Sequence, residues 1–189
     1  MLKLLKIKSN FLSLVDSIII RQETLSDYKH VFEVNNLAFK QSNEAKLVEA
    51  LRTNTNVFVN ELSIVATYNN NIVGHILFTK IKITNINGIE HESLALAPMA
   101  VLPKFQLKGI GSKLIIYGLQ VAKNIGFKSV IVLGHANYYS KFGFMPASLW
   151  NINAPFQVPD NAFMAIELQN DSLKNSSGTV VYPSEFNGV

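Results

Sequence analysis

Apolar positions along the chain switch between two periods, and the switches mark its elements. Residues 17–21 carry the β-branched run Ile18-Ile19-Ile20, which predicts a short strand. Thr24 and Ser26 are cap-type residues, and Val31, Phe32, Val34, Leu37, Ala38 and Phe39 then recur at helical spacing. A helix is expected over 27–39. Ala45, Leu47, Val48, Ala50 and Leu51 place a second helix over 43–52. Two strands, 62–68 and 72–83, flank Asn69-Asn70-Asn71, and asparagine tolerates the positive φ of a tight hairpin turn. Lys80, Ile81, Lys82 and Ile83 alternate as on a half-buried strand. A turn at 85–88 leads into a strand over 92–101, where Pro98 lacks a ladder donor and predicts a bulge or an edge.

After Pro103 the period lengthens. Ile110, Leu114, Ile115, Val121, Ala122 and Ile125 predict a helix over 109–126, with Gly126 at its C-terminal end. Residues 129–133 form a continuous apolar run, as in a strand buried on both faces. One or two helical turns fit 138–142, and the last clear strand is 163–168. Beyond Asn170 the chain turns polar, with Val180, Val181, Tyr182 and Phe186 able to pack down. No repeat or interdomain linker is visible. The pattern predicts one mixed α/β domain over 17–189, preceded by an extension of residues 1–16.

Composition narrows the chemistry. The 189 residues contain no cysteine, which excludes a disulfide framework, a thiolate zinc site, an iron–sulfur cluster and a cysteine nucleophile. No apolar run reaches the roughly 18 residues of a membrane span. Lys3, Lys6 and Lys8 precede Phe11, Leu12, Leu14 and Val15, but no continuous apolar stretch or small-residue cleavage site follows. A cytoplasmic location is therefore expected. Net charge is +4, and the sequence pI is about 9.2. Nucleic acid, a membrane surface or a phosphorylated cofactor could all answer a basic balance.

Residues 98–113 carry the strongest local signal. A strand ends, Gly109 and Gly111 make a turn, and a helix begins. Glycines let backbone amides approach an anion, and a helix N-terminus adds unpaired donors. A P-loop needs a glycine five positions before Gly111, and none is there; a dinucleotide fingerprint needs one three positions after it, where Leu114 stands. The stretch Gln106-Leu107-Lys108-Gly109-Ile110-Gly111 instead fits Gln/Arg-x-x-Gly-x-Gly/Ala.

With Pro98-Met99-Ala100-Val101 before this loop and Tyr139-Ser140-Lys141-Phe142-Gly143-Phe144 after it, the chain resembles the GNAT superfamily of N-acetyltransferases. It is most similar to the YhbS-like branch, on 43–52, Leu133-Gly134-His135, Tyr138-Tyr139, Ala162-Phe163-Met164, Tyr182-Pro183 and Glu185-Phe186. The likeness spans about 18–186. It implies an acyl-CoA N-acyltransferase fold: a central mixed, mostly antiparallel sheet with splayed parallel strands and flanking helices. It implies acetyl-CoA as acyl donor, with Met99, Ala100 and Val101 beside the pantetheine arm. The pyrophosphate would lie on Gln106, Leu107, Lys108, Gly109, Ile110, Gly111 and Ser112. Tyr139 is then the acid near the sulfur, and the amide of Met99 or Ala100 is the oxyanion donor. The base is left open among Glu33, Glu44, His91, Glu92, His135 and water. Two departures stand out: Val132 occupies the position of a pantetheine-binding asparagine, and Ala136 follows His135 where a proline is expected.

The resemblance implies an amine acceptor, a small molecule or a protein, of unstated identity. It implies no metal and no membrane, weighs against nucleic acid, and leaves a homodimer open. The alternatives are a CoA-binding sensor or interaction module without turnover, and a basic nucleic-acid-binding protein. Charge distribution favours a cofactor: between Glu92 and Asp160 lie Lys104, Lys108, Lys113, Lys123, Lys128 and Lys141 and no acidic residue.

Overall fold

Asn69 and Asn70 both take positive φ, 48° and 62°, and fold two long strands back on each other. These are β2 (Phe58–Tyr68) and β3 (Asn71–Thr84), paired from Tyr68↔Asn71 to Phe58↔Thr79. The computed structural model describes residues 17–188; the expected extension of 1–16 lies outside the described residues. Ahead of the hairpin come β1 (Ile19–Gln22), α1 (Tyr28–Phe39) and α2 (Asn43–Thr53). After it come β4 (Glu90–Val101), α3 (Ile110–Asn124), β5 (Ser129–Leu133), α4 (Ala136–Tyr139), the two-residue strands β6 (Met145–Pro146) and β7 (Ile152–Asn153), then β8 (Phe163–Glu167) and β9 (Gly178–Val181). The predicted helices and long strands are present, with β2 starting four residues earlier than its apolar run.

The strands form one sheet in the order β1-β2-β3-β4-β5-β8-β6. β9 pairs with Lys82–Thr84 of β3, on the edge that β2 leaves, and β7 pairs with β9. Pairs are antiparallel except β4–β5 and β7–β9. This is the mixed, mostly antiparallel α/β architecture expected. Residues 178–181 carry too short an apolar run to announce a strand. Their partner lies nearly a hundred residues earlier, so the tertiary pairing makes β9.

Helices cover both faces. Through Ile110, Leu114, Ile115 and Ala122, α3 packs on Ile76, Phe78, Leu94 and Leu96. On the opposite face α1 and α2 press Val31, Val34, Leu47, Val48 and Leu51 against Val65 and Leu77. Further along that face Ile81, Ile83, Ile131, Phe163 and Val180 form a third cluster, which Tyr182 and Phe186 join at its edge.

A buried polar group ties α1 and α2 to the sheet. Arg52 gives Glu23 two bonds, Nε to Oε1 at 3.0 Å and Nη2 to Oε2 at 2.7 Å. Its guanidinium lies 3.9 Å from the centre of the Tyr28 ring. His75 is fully buried nearby, and burial, with the charge of Arg52 adding, pushes its pKa down to about 3. It is therefore neutral. Asn35 Nδ2 reaches its Nδ1 at 3.2 Å, so Nδ1 accepts and Nε2 donates to Ser63 Oγ at 3.1 Å.

Candidate functional site

The site begins where β4 and β5 part. The two strands pair in parallel only at Leu94↔Val130 and Ala95↔Ile131. β4 then runs on to Val101 with β3 alone beside it. Between Phe78↔Leu96 and Ile76↔Met99 the register shifts, leaving Ala97 and Pro98 opposite Leu77. Pro98 therefore sits in a bulge, where its missing N–H breaks no ladder bond. The bulge turns the end of β4 away from β5 and opens a wedge between them.

Backbone parity says which groups face that wedge. Leu102 N–H donates to Val73 O at 2.9 Å. Amides and carbonyls of an antiparallel strand alternate between its two edges. Leu102 and Ala100 thus face β3, while Met99 and Val101 face the open edge. Ala100 is buried and opposite His75, which removes its amide from the wedge. The Val101 carbonyl accepts from Gln106 Nε2 at 2.9 Å. Gln106 thus ties the following loop to the strand, and its own amide, expected among the anion donors, instead donates to Pro103 O at 3.3 Å.

The loop makes a cradle of donors. Leu107 and Gly109 both take positive φ, 60° and 79°. Glycine adopts that conformation without strain, whereas leucine does not. Among the described residues, the amides of Leu107 through Ser112 have no protein acceptor; the first bond into α3 runs from Lys113 N–H to Gly109 O at 3.1 Å. Six consecutive unpaired donors, three before α3 and three in its first turn, suit an anion. Lys108 Nζ donates to the Lys104 carbonyl at 2.7 Å, which keeps its charge beside the turn. A cleft of about 300 Å³ runs along this loop, bounded also by Met99, Val101 and Tyr138.

A larger cleft, about 570 Å³, fills the wedge itself. Its floor is Ala95 to Met99 of β4 and Ile131 to Gly134 of β5 with its following turn. Tyr138 and Tyr139 stand at the junction. Tyr138 lines both clefts, and its hydroxyl lies near the Ser112 side chain, directly over Gly111. Tyr139 is 8% exposed and packs edge-on against Phe144, with ring centres 5.6 Å apart. Burial, with Tyr138 adding, pushes its phenol up to about 12, so it holds its proton at any working pH.

The far wall comes from residues the sequence pattern did not single out as a site. Phe39 ends α1, Leu47 lies on α2, Phe156 lies in the loop before β8, and Tyr182 and Phe186 follow β9. Phe156 and Tyr182 stack with ring centres 6.2 Å apart and planes 18° from parallel, and Phe186 sits 5.1 Å from Tyr182. Asn54 Nδ2 donates to Glu185 Oε1 at 2.8 Å, pinning this last segment to the end of α2. Of the acidic and histidine residues weighed as a base, Glu44 and His135 line this cleft. Glu33, His91 and Glu92 do not. Glu44 is half-buried in the first turn of α2, and Gln41 Nε2 donates to both its oxygens, at 2.9 and 3.1 Å. No group of three or more His, Asp or Glu side chains able to hold a metal occurs among the described residues. No helix among them is long and apolar enough to cross a membrane.

Comparison with known proteins places these features in company. A model of the acetyltransferase (GNAT) family matches residues 28–144. The Escherichia coli K12 protein named uncharacterized N-acetyltransferase YjhQ is 38% identical over 138 residues, 71% of this chain and 74% of that protein. Uncharacterized N-acetyltransferase YhbS of the same strain is 28% identical over 170 residues, covering 89% of this chain and 98% of its own length. The crystal structure of E. coli YhbS in complex with CoA superposes with a TM-score of 0.82 at 28% identity, over 90% of this chain and 92% of that one. A GNAT family acetyltransferase from Brucella melitensis, solved with acetyl-CoA, gives 0.73 at 29% identity, over 89% and 97%.

Proposed function

The chain belongs to the acetyltransferase (GNAT) family, and on that premise we propose that it moves an acetyl group from acetyl-CoA directly to a primary amine held in the larger cleft. The observation that carries this is the meeting of two clefts at Met99 and Tyr138, one lined by unpaired amides and the other by a half-buried carboxylate. The relatives solved with CoA and acetyl-CoA support the choice of donor.

The residues present fit such a donor. The amides of Leu107 through Ser112 would hold the pyrophosphate, with Lys104 and Lys108 supplying positive charge beside it. The outward backbone of Met99 and Val101 would take the pantetheine arm as an added strand takes an edge. When bound, acetyl-CoA supplies an activated thioester.

The chain's own residues then manage the protons and the developing charge. The amine nitrogen bonds to the acetyl carbon, and the carbon–sulfur bond breaks. Glu44 takes the proton the amine loses, directly or through water. The outward amide of Met99 donates to the acetyl oxygen as charge grows there. Tyr139 donates to the departing sulfur. A free thiol has a pKa of about 8.5, well below the phenol's value of about 12. Tyr139 therefore stabilises the thiolate chiefly by hydrogen bonding, and solvent completes its protonation.

The test is release of free thiol from acetyl-CoA by the full chain over a panel of primary amines. Release must depend on the amine. Glu44→Gln should lower it about a hundredfold at neutral pH and recover in part as pH rises and more amine is neutral. CoA binding without amine-dependent release would make the chain a binding module instead.

A further inference from the structure

The wall of the larger cleft specifies more than an amine. Resting on the acetyl-transfer reading above, we infer that the acceptor is a primary amine carried on an aromatic or similarly flat apolar group, an arylalkylamine, rather than a polyamine or a lysine of a polypeptide.

The side facing away from the glycine loop is built from aromatic rings. Phe156 and Tyr182 lie nearly parallel, 18° apart, and Phe186 continues the surface. Such a surface offers a flat substrate ring the stacked and edge-on contacts that aromatic pairs prefer. Phe156 is 49% exposed and Phe39 is 38% exposed, so an apolar occupant removes both from water.

Charge on the same lining points to one ammonium. Among the described residues, Glu44 is the only one with a carboxylate side chain that lines the cleft. A polyamine carries two or more separated positive charges, and only one would find a partner there. A basic peptide would want an acidic rim, and among the described residues no Asp or Glu besides Glu44 lines the cleft. The cleft's volume of about 570 Å³ is that of a small-molecule site and accommodates a ring on a short arm beside the acetyl end of the donor.

The wall is also held in place. β9 pairs with β3 at Lys82–Thr84, and Asn54 bonds Glu185 beyond it. Tyr182 sits between these two anchors, and Phe186 directly follows the second. A preformed apolar surface favours a rigid ring over a flexible chain of equal size, because less freedom is lost on binding.

Steady-state thiol release by the full chain with acetyl-CoA tests this on phenethylamine, butylamine, spermidine and a lysine-containing peptide. Phenethylamine should lead butylamine in kcat/KM by about tenfold or more. Phe156→Ala should lower that ratio about fivefold, with CoA affinity retained. Calorimetric titration of phenethylamine into the CoA-bound protein gives a readout free of turnover. Binding that Phe156→Ala weakens supports the acceptor class even if no thiol is released, and then the transfer reading alone falls. A preference for spermidine or the peptide, or equal rates for phenethylamine and butylamine, overturns the acceptor class and leaves transfer standing. Absence of both release and phenethylamine binding overturns both.

Discussion

Gly111 sits where the donor cradle meets the tyrosine junction, and a single methyl there should report on both. A Cβ built on Gly111 would lie 2.7 Å from the Tyr138 hydroxyl, closer than real Cβ atoms come. The next nearest atoms are Met99 Cε at 3.6 Å and Sδ at 3.7 Å, both ordinary contacts. The clash in Gly111→Ala therefore rests on one oxygen. That oxygen cannot simply swing aside, because the Tyr138 ring is packed edge-on against Phe142 and Tyr139, at 5.4 and 5.3 Å between centres. Overpacking of this kind costs about 1–3 kcal/mol, against a helix-propensity gain from Gly to Ala of at most about 1 kcal/mol. Gly111→Ala alone should be neutral to about 3 kcal/mol destabilising. In Gly111→Ala with Tyr138→Phe the oxygen is gone and only the gain remains. Thermal or denaturant unfolding of the four proteins closes a double-mutant cycle, with an expected coupling of about 1 kcal/mol or more in favour of the double variant. Each kcal/mol corresponds to about 2–4 °C in Tm for a chain of this size. If the two changes add to within about 0.5 kcal/mol, the hydroxyl does not occupy the space over Gly111, and the placement of Tyr138 at the junction is wrong.

Four other outcomes follow from the same structure. Tyr139→Phe should lower turnover about tenfold or more while CoA affinity stays near wild type; wild-type turnover would remove Tyr139 from the chemistry. Lys104→Ala with Lys108→Ala should weaken CoA about tenfold and flatten its dependence on salt, as read by calorimetry at two ionic strengths. Arg52→Met strands Glu23 in the core and should cost about 3–5 kcal/mol in denaturant unfolding, with part of the loss recovered when Glu23→Gln is added. His75 gives a pH dependence: its folded pKa is about 3 against an ordinary 6.5, so below pH 6.5 the unfolded chain binds a proton that the folded chain refuses. Stability from this group is complete above pH 6.5 and declines by up to about 1.4 kcal/mol per unit as pH falls toward 3. Between pH 7 and 5, His75→Gln should lose less Tm than wild type, even though it starts lower.

Much of the scaffold was legible because it is written in local periods. Val31 to Phe39 and Ile110 to Ile125 repeat at helical spacing, the Asn69–Asn70 pair is a turn by its own backbone chemistry, and Pro98 cannot continue a ladder. The glycine loop was legible for a similar reason: the donors it frees belong to consecutive residues. Resemblance extended this to a donor and to Tyr139, which physics alone would not have separated from Tyr138. The structure divides those two by place, with Tyr139 set into the core and Tyr138 spanning both clefts.

By itself, then, the sequence determined the order of elements, the strand–turn–helix around Gly109 and Gly111, and the lysine-rich stretch around it, since each depends on neighbours in the chain. Only the tertiary structure decided that Ala100 turns its amide inward while Met99 faces the wedge, because edge parity is set by pairing with β3. It also decided that Glu44, Phe156, Tyr182 and Phe186 share one cleft. Those side chains come from the start of α2, a loop and the segment after β9, and nothing periodic links them. Their meeting depends on β9 finding the edge of β3 and on the Asn54–Glu185 bond, between residues 131 apart in the chain. Contacts closed over such distances leave no local pattern, and in this protein they build the aromatic wall of the larger cleft.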